Sequence, residues 1–73
     1  MLKKLLREKR EASGLSRADV AEFLRVSPET VKFWEIGFRR PNIERLESIA
    51  KLYQVEVADF FPRATETAEG GGE

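Results

Sequence analysis

Two helix-start signals only eleven residues apart constrain this chain more than any other feature of it. The first is Leu15-Ser16-Arg17-Ala18-Asp19-Val20, and the second is Val26-Ser27-Pro28-Glu29-Thr30-Val31. In each, a serine hydroxyl can accept from the backbone N–H groups that a first helical turn leaves free. Asp19 stands three residues after Ser16, as in a capping box, and Leu15 is spaced to staple onto Val20. Pro28 suits the first helical position, Glu29 complements the helix dipole, and Val26 is spaced to staple onto Val31. Between the two starts there is room for one short helix over residues 17–24 and a turn of about three residues. The spacing therefore predicts two short helices joined by a tight turn. Ala21 falls where they would cross, and a small side chain allows close approach there. Val31 and Trp34, at i and i+3, face inward, which turns Lys32 and Phe33 outward.

The flanking segments read as helices too. Leu2, Leu5, Leu6 and Ala12 form one stripe with Lys and Arg opposite, and Gly14 ends that helix. After the second signal, Gly37 and Pro41 bracket a loop holding Phe38, Arg39 and Arg40. Asn42 then caps a helix whose stripe is Ile43, Leu46, Ile49, Ala50 and Tyr53. A last short helix over Val57 to Phe61 is stopped by Pro62. The expected fold is an all-α, compact bundle of five short helices within residues 1–62. Its core is Leu5, Leu6, Val20, Leu24, Val31, Trp34, Leu46, Ile49 and Leu52. Residues 63–73, with three consecutive glycines and no apolar periodicity, are expected to be a disordered acidic tail.

Composition narrows the chemistry. The 73 residues contain no cysteine and no histidine, which removes disulfides, the usual zinc-ligand sets and base-assisted serine or cysteine nucleophiles. Ser16 and Ser27 are committed as caps, no glycine-rich phosphate loop exists, and so small a bundle has no pocket for paired carboxylates. No enzymatic activity, cofactor or metal is expected, and no apolar run approaches the roughly 20 residues of a membrane span. The expectation is a soluble, cytoplasmic protein. One Asn, one Gln and one Met beside 36% charged residues point to a thermophilic source. Thirteen basic and thirteen acidic groups cancel overall. However, residues 63–73 hold one basic and three acidic groups, so the predicted bundle is left slightly basic. Neutrality of the whole can hide a basic face.

With these residues in view, the run from Leu15 to Phe61 resembles the Cro/repressor-like, or Xre, family of helix-turn-helix regulators. The residues that carry the resemblance are Leu15-Ser16, Val20-Ala21, Leu24, Val26-Ser27, Thr30-Val31, Trp34-Glu35, Gly37, Arg39, Pro41, Leu46, Ile49-Ala50, Val55 and Phe60-Phe61. The resemblance implies a lambda-repressor-like DNA-binding domain whose third helix enters the major groove. Three positions depart from the family pattern. Arg25 and Gln54 stand where glycines usually follow a helix end. A non-glycine residue held left-handed costs about 1–2 kcal/mol, so these turns should be strained or differently shaped. Arg17 stands where the family often has glutamine.

The resemblance also implies roles. Arg17 would contact a phosphate or a guanine. Ser27, Pro28, Glu29, Thr30, Lys32 and Phe33 would present the groove-reading face, with Thr30 and Phe33 packing on thymine methyl groups. Arg39 and Arg40 would grip backbone phosphates. Arg10 and Glu35 match a family ion pair that locks the first helix to the third. Phe38, Val57, Phe60 and Phe61, left over once the core is filled, would form a homodimer interface. The function expected is a sequence-specific regulator of transcription, a repressor, bound as a homodimer to a two-fold symmetric double-stranded operator. The alternative is a module of the same fold that binds a protein, such as an antitoxin or a phage-encoded modulator of host machinery. Zero net charge and the outward Phe33 and Phe38 favour it.

Overall fold

A computed structural model describes residues 2–61. Among them are four α-helices, α1 (Leu2–Ala12), α2 (Arg17–Leu24), α3 (Pro28–Ile36) and α4 (Ile43–Tyr53), and a C-terminal 3₁₀ turn (Val57–Phe60). The expected tail, residues 63–73, lies outside the described residues. The fifth element is thus a single tight turn, one residue shorter than expected.

Each helix start follows its local chemistry. Ser16 Oγ accepts from the Asp19 N–H at 3.0 Å while the Ser16 N–H donates to Asp19 Oδ2 at 3.0 Å, closing the capping box. Ser27 Oγ accepts from the Thr30 N–H at 3.1 Å, with Pro28 at the first helical position. Asn42 Oδ1 accepts from the Arg45 N–H at 2.7 Å.

The helix ends share one geometry. Gly14, Arg25, Gly37 and Gln54 all adopt a left-handed backbone, with φ of 76°, 62°, 84° and 60°. In each case the next residue's N–H reaches back five residues: Leu15 to Arg10 O, Val26 to Ala21 O, Phe38 to Phe33 O and Val55 to Ala50 O. These bonds satisfy carbonyls that a helix end otherwise strands. Arg25 and Gln54 therefore keep the turn shape that glycine would allow, and they carry the left-handed strain.

The core gathers Leu6, Val20, Ala21, Leu24, Val31, Trp34, Leu46, Ile49, Ala50, Tyr53 and Phe60. Leu5 and Leu52 only flank it, half-buried. Phe60 corrects the sequence expectation most sharply. It is 1% exposed inside the core and is unavailable to an interface. The C-terminal turn folds back over α1 and α4 and supplies the bulk that four short helices lack. Val57 and Phe61 pack half-buried against the same core.

Two stripe assignments also fail. Ile43 is exposed because a residue at the first position of a helix projects its side chain back beyond the helix end. Ala12, the last residue of α1, is exposed and lines an open groove of about 550 Å³ with Leu15, Leu52, Tyr53 and Val55.

Candidate nucleic-acid interface

α3 presents a sharply divided surface. Val31, Trp34 and Glu35 are buried, whereas Pro28, Glu29, Lys32 and Ile36 are exposed. Ser27 is exposed at the helix start, and Thr30 is half-buried, its hydroxyl 2.9 Å from Ser27 Oγ. This hydroxyl pair belongs to the cap, so neither group is entirely free. Arg39 and Arg40 are exposed in the loop beyond Gly37. Lys32, Arg39 and Arg40 make no ion pair among the described residues. Three cations thus flank one exposed helix face, and none of them is neutralised by a described neighbour.

Phe33 is placed differently from the sequence expectation. It is half-buried, and its ring lies 4.9 Å from that of Phe38, centroid to centroid, tilted by 57°. The distance and tilt suit an edge-to-face aromatic pair. Because Phe38 follows the left-handed Gly37, the pair is also the apolar contact that commonly closes this kind of helix end. Leu15, Val26 and Val55 occupy the equivalent position after α1, α2 and α4, and each packs against the core. Phe38 instead remains 69% exposed. The recurring apolar residue after each left-handed position was the signal in the sequence that could have revealed this pairing.

Behind the helix face lies a three-residue charge cluster. The Glu35 side chain is 1% exposed and faces two guanidinium groups. Arg10 donates from Nε to Oε2 at 2.6 Å and from Nη2 to Oε1 at 3.1 Å, a bidentate fork. Its third nitrogen, Nη1, donates to the Leu15 carbonyl at 2.8 Å, tying the cluster to the loop before α2. The hydrogen bonds that Arg10 donates to Glu35 raise the Arg10 pKa further above its already high ordinary value. Arg17 donates from Nε to Glu35 Oε1 at 3.1 Å. Arg10–Glu35 was legible through the family resemblance, but Arg17 as a third member was not, because no local spacing relates residues 17 and 35. Burial also pushes the nearby Tyr53 hydroxyl well above its ordinary range, and the negative Glu35 adds to the effect.

One further cation reaches this surface. A side-chain carbon at Gly37 would fall 2.8 Å from Lys3 Cδ and 3.6 Å from Lys3 Nζ. The Lys3 side chain therefore lies across the end of α3, where a cation meets the negative pole of the helix dipole. Large apolar exposure is also found at Phe23, Ile36 and Ile43, none of which the sequence marked as surface residues. No helix among the described residues is long and apolar enough to cross a membrane.

A family model described as helix-turn-helix matches residues 6–60. No curated protein and no solved structure matches the chain. The matched span runs from Leu6 in α1 to Phe60 in the last turn and contains the capped starts of α2, α3 and α4 and the Arg10–Glu35 lock. The chain belongs to the Xre/lambda-repressor-like helix-turn-helix family of DNA-binding regulators.

Proposed function

We propose that this protein is a sequence-specific, double-stranded-DNA-binding regulator of transcription that represses by occupying an operator as a homodimer. The observation that carries the reading is the exposed face of α3, with Pro28, Glu29 and Lys32 outward and Arg39 and Arg40, without an ion pair among the described residues, just beyond its end. On this reading Lys32 and Glu29 address base edges, a cation toward guanine and a carboxylate toward a cytosine amine. Thr30 supplies a methyl and hydroxyl at the margin of that face, and Ser27 and Pro28 bring the helix start to the groove. Phe33 supports Phe38 and contributes only its exposed edge. Arg39 and Arg40 hold phosphates and set the register of the helix on the duplex.

One domain this small buries too little surface to be specific alone, so a second copy doubles the contacts. Phe38, with Val57 and Phe61 beside the last turn, remains the surface proposed for that contact. The experiment is selection of bound sequences from a random duplex library. An inverted repeat with half-sites about one helical turn, roughly 34 Å, apart is the expected product. A chain that stays monomeric at high micromolar concentration and enriches no inverted repeat would refute the reading.

A protein-binding module is the second reading, favoured by the exposed Phe23, Ile36, Phe38 and Ile43. Salt separates the two. Binding to duplex DNA weakens steeply as salt rises, because phosphate contacts release counterions, whereas an apolar protein contact is nearly insensitive.

A further inference from the structure

The open groove of about 550 Å³ lies between the end of α1 and the end of α4, and no residue of α3 lines it. Its apolar wall is Ala12, Leu15, Leu52 and Val55, of which Ala12 is exposed and the other three are only half-buried. Lys9, itself half-buried, supplies the one charge in the lining. It makes no ion pair among the described residues. The Ser13 hydroxyl joins the two helix ends, its hydrogen shared between the Lys9 carbonyl at 3.0 Å and the Tyr53 carbonyl at 3.3 Å. The groove is therefore formed by packing already in place. Its volume falls within the range of small-molecule sites, which combine an apolar wall with few polar groups.

We infer that this groove is a binding site for a small organic anion, a carboxylate whose apolar body lies on Leu15, Leu52 and Val55 while Lys9 holds its charge. An apolar body placed there removes from water the side-chain area that folding left exposed. Lys9 selects the sign of the ligand. A cation would meet like charge, and a neutral molecule would take water from the ammonium and give nothing back. The chain's own residues 62–73 do not suit the groove, because they hold no apolar side chain larger than Pro62 to cover its wall. An occupant also lies close to the lock on α3. Leu15, part of the wall, accepts through its carbonyl from Arg10 Nη1 at 2.8 Å, and the same guanidinium holds Glu35. Since the unfolded chain has no groove, occupancy stabilises the fold by mass action.

The test titrates the full chain with phenylbutyrate and, in parallel, with the neutral phenylbutyramide of nearly the same shape. Amide NMR shifts and thermal melts are the readouts. Phenylbutyrate should give saturable shifts centred on Leu15, Leu52 and Val55 and raise the melting temperature, and the amide should bind about 5-fold more weakly. Lys9→Gln should erase that preference while still melting cooperatively, because the Lys9 side chain holds no described partner. Ala12→Trp fills the groove from an exposed position and should abolish saturable binding of both molecules. Shifts that never saturate, equal affinity for the two molecules, or a preference that survives Lys9→Gln would each overturn the proposal. Self-association of the parent chain that disappears in Ala12→Trp would assign the groove to a second copy and overturn it too. All of these measurements are made without DNA, so their outcome is independent of the DNA-binding reading.

Discussion

Replacing Arg10 with alanine should unfold much of what α1 contributes to this domain. The substitution removes the bidentate pair to Glu35, at 2.6 and 3.1 Å, and the 2.8 Å bond to the Leu15 carbonyl. Glu35 stays behind with its side chain 1% exposed. Stranding a buried charge in this way costs about 3–5 kcal/mol. Arg17 still donates to Oε1, so the expected loss falls at the low end, about 3 kcal/mol. Against a total stability of roughly 5–10 kcal/mol for a chain of this size, that is a large fraction. At about 4–8 °C per kcal/mol for a small domain, the melting temperature should fall by about 12–24 °C. Circular dichroism melts and urea titrations measure the loss directly. Arg39→Ala, Arg40→Ala and Arg7→Ala serve as controls. Arg7 pairs with Glu11 at 3.1 Å on the open surface of α1, and such pairs contribute about 0.3–0.5 kcal/mol. The double variant Arg10→Met/Glu35→Leu should be more stable than Arg10→Ala, because no unpaired charge is left inside. If Arg10→Ala melts within about 4 °C of the controls, roughly 1 kcal/mol, the buried-charge argument is wrong.

Other outcomes follow from the caps and turns. The Ser16 N–H, and then the Ser16 hydroxyl, hold the Asp19 carboxyl below its ordinary value of 3.8. A folded value below the unfolded one means that this cap stabilises the fold above pH 3.8 and that its contribution disappears as pH falls through the lowered value. Acid titration of stability should therefore be shallower in Asp19→Asn, and an identical acid limb in the two proteins would refute the link. Gly37→Ala and Gly14→Ala should cost about the same, because both carry left-handed strain, the methyl at Gly14 meets open space, and the exposed Lys3 stem that would lie 2.8 Å from the methyl at Gly37 can swing aside. About 1–2 kcal/mol is expected at Gly14 from strain alone, with denaturant midpoints as the measure. Arg25→Gly and Gln54→Gly relieve the same strain while loosening the unfolded chain, for a net gain of about 0.5–1 kcal/mol each in chemical unfolding. Lys32→Ala should lower affinity for a selected operator and leave the oligomeric state unchanged in ultracentrifugation, while a matched loss of both would move Lys32 into the dimer contact.

What the sequence alone determined about this protein is what depends on neighbours three to five residues apart. The caps at Ser16, Ser27 and Asn42 bond within their own first turns, and the left-handed Gly14 is followed by a bond to a carbonyl just behind it, whereas Arg25 and Gln54 were marked only through the family resemblance. Such contacts form wherever a helix begins or ends, so residue order suffices to place them. The inward Val31 and Trp34 and the outward Pro28, Glu29 and Lys32 follow from the helical period in the same way. Arg10–Glu35 joins residues far apart in the chain, and it was legible only through the family resemblance. Tertiary packing alone decided the rest. Phe60 became core because the last turn folds back on α1 and α4. Arg17 meets Glu35, and Lys3 crosses Gly37, because the helices bring together residues with no spacing relation in the chain. Apolarity and charge predict that a side chain needs a partner, but which partner it meets is set by how the helices cross.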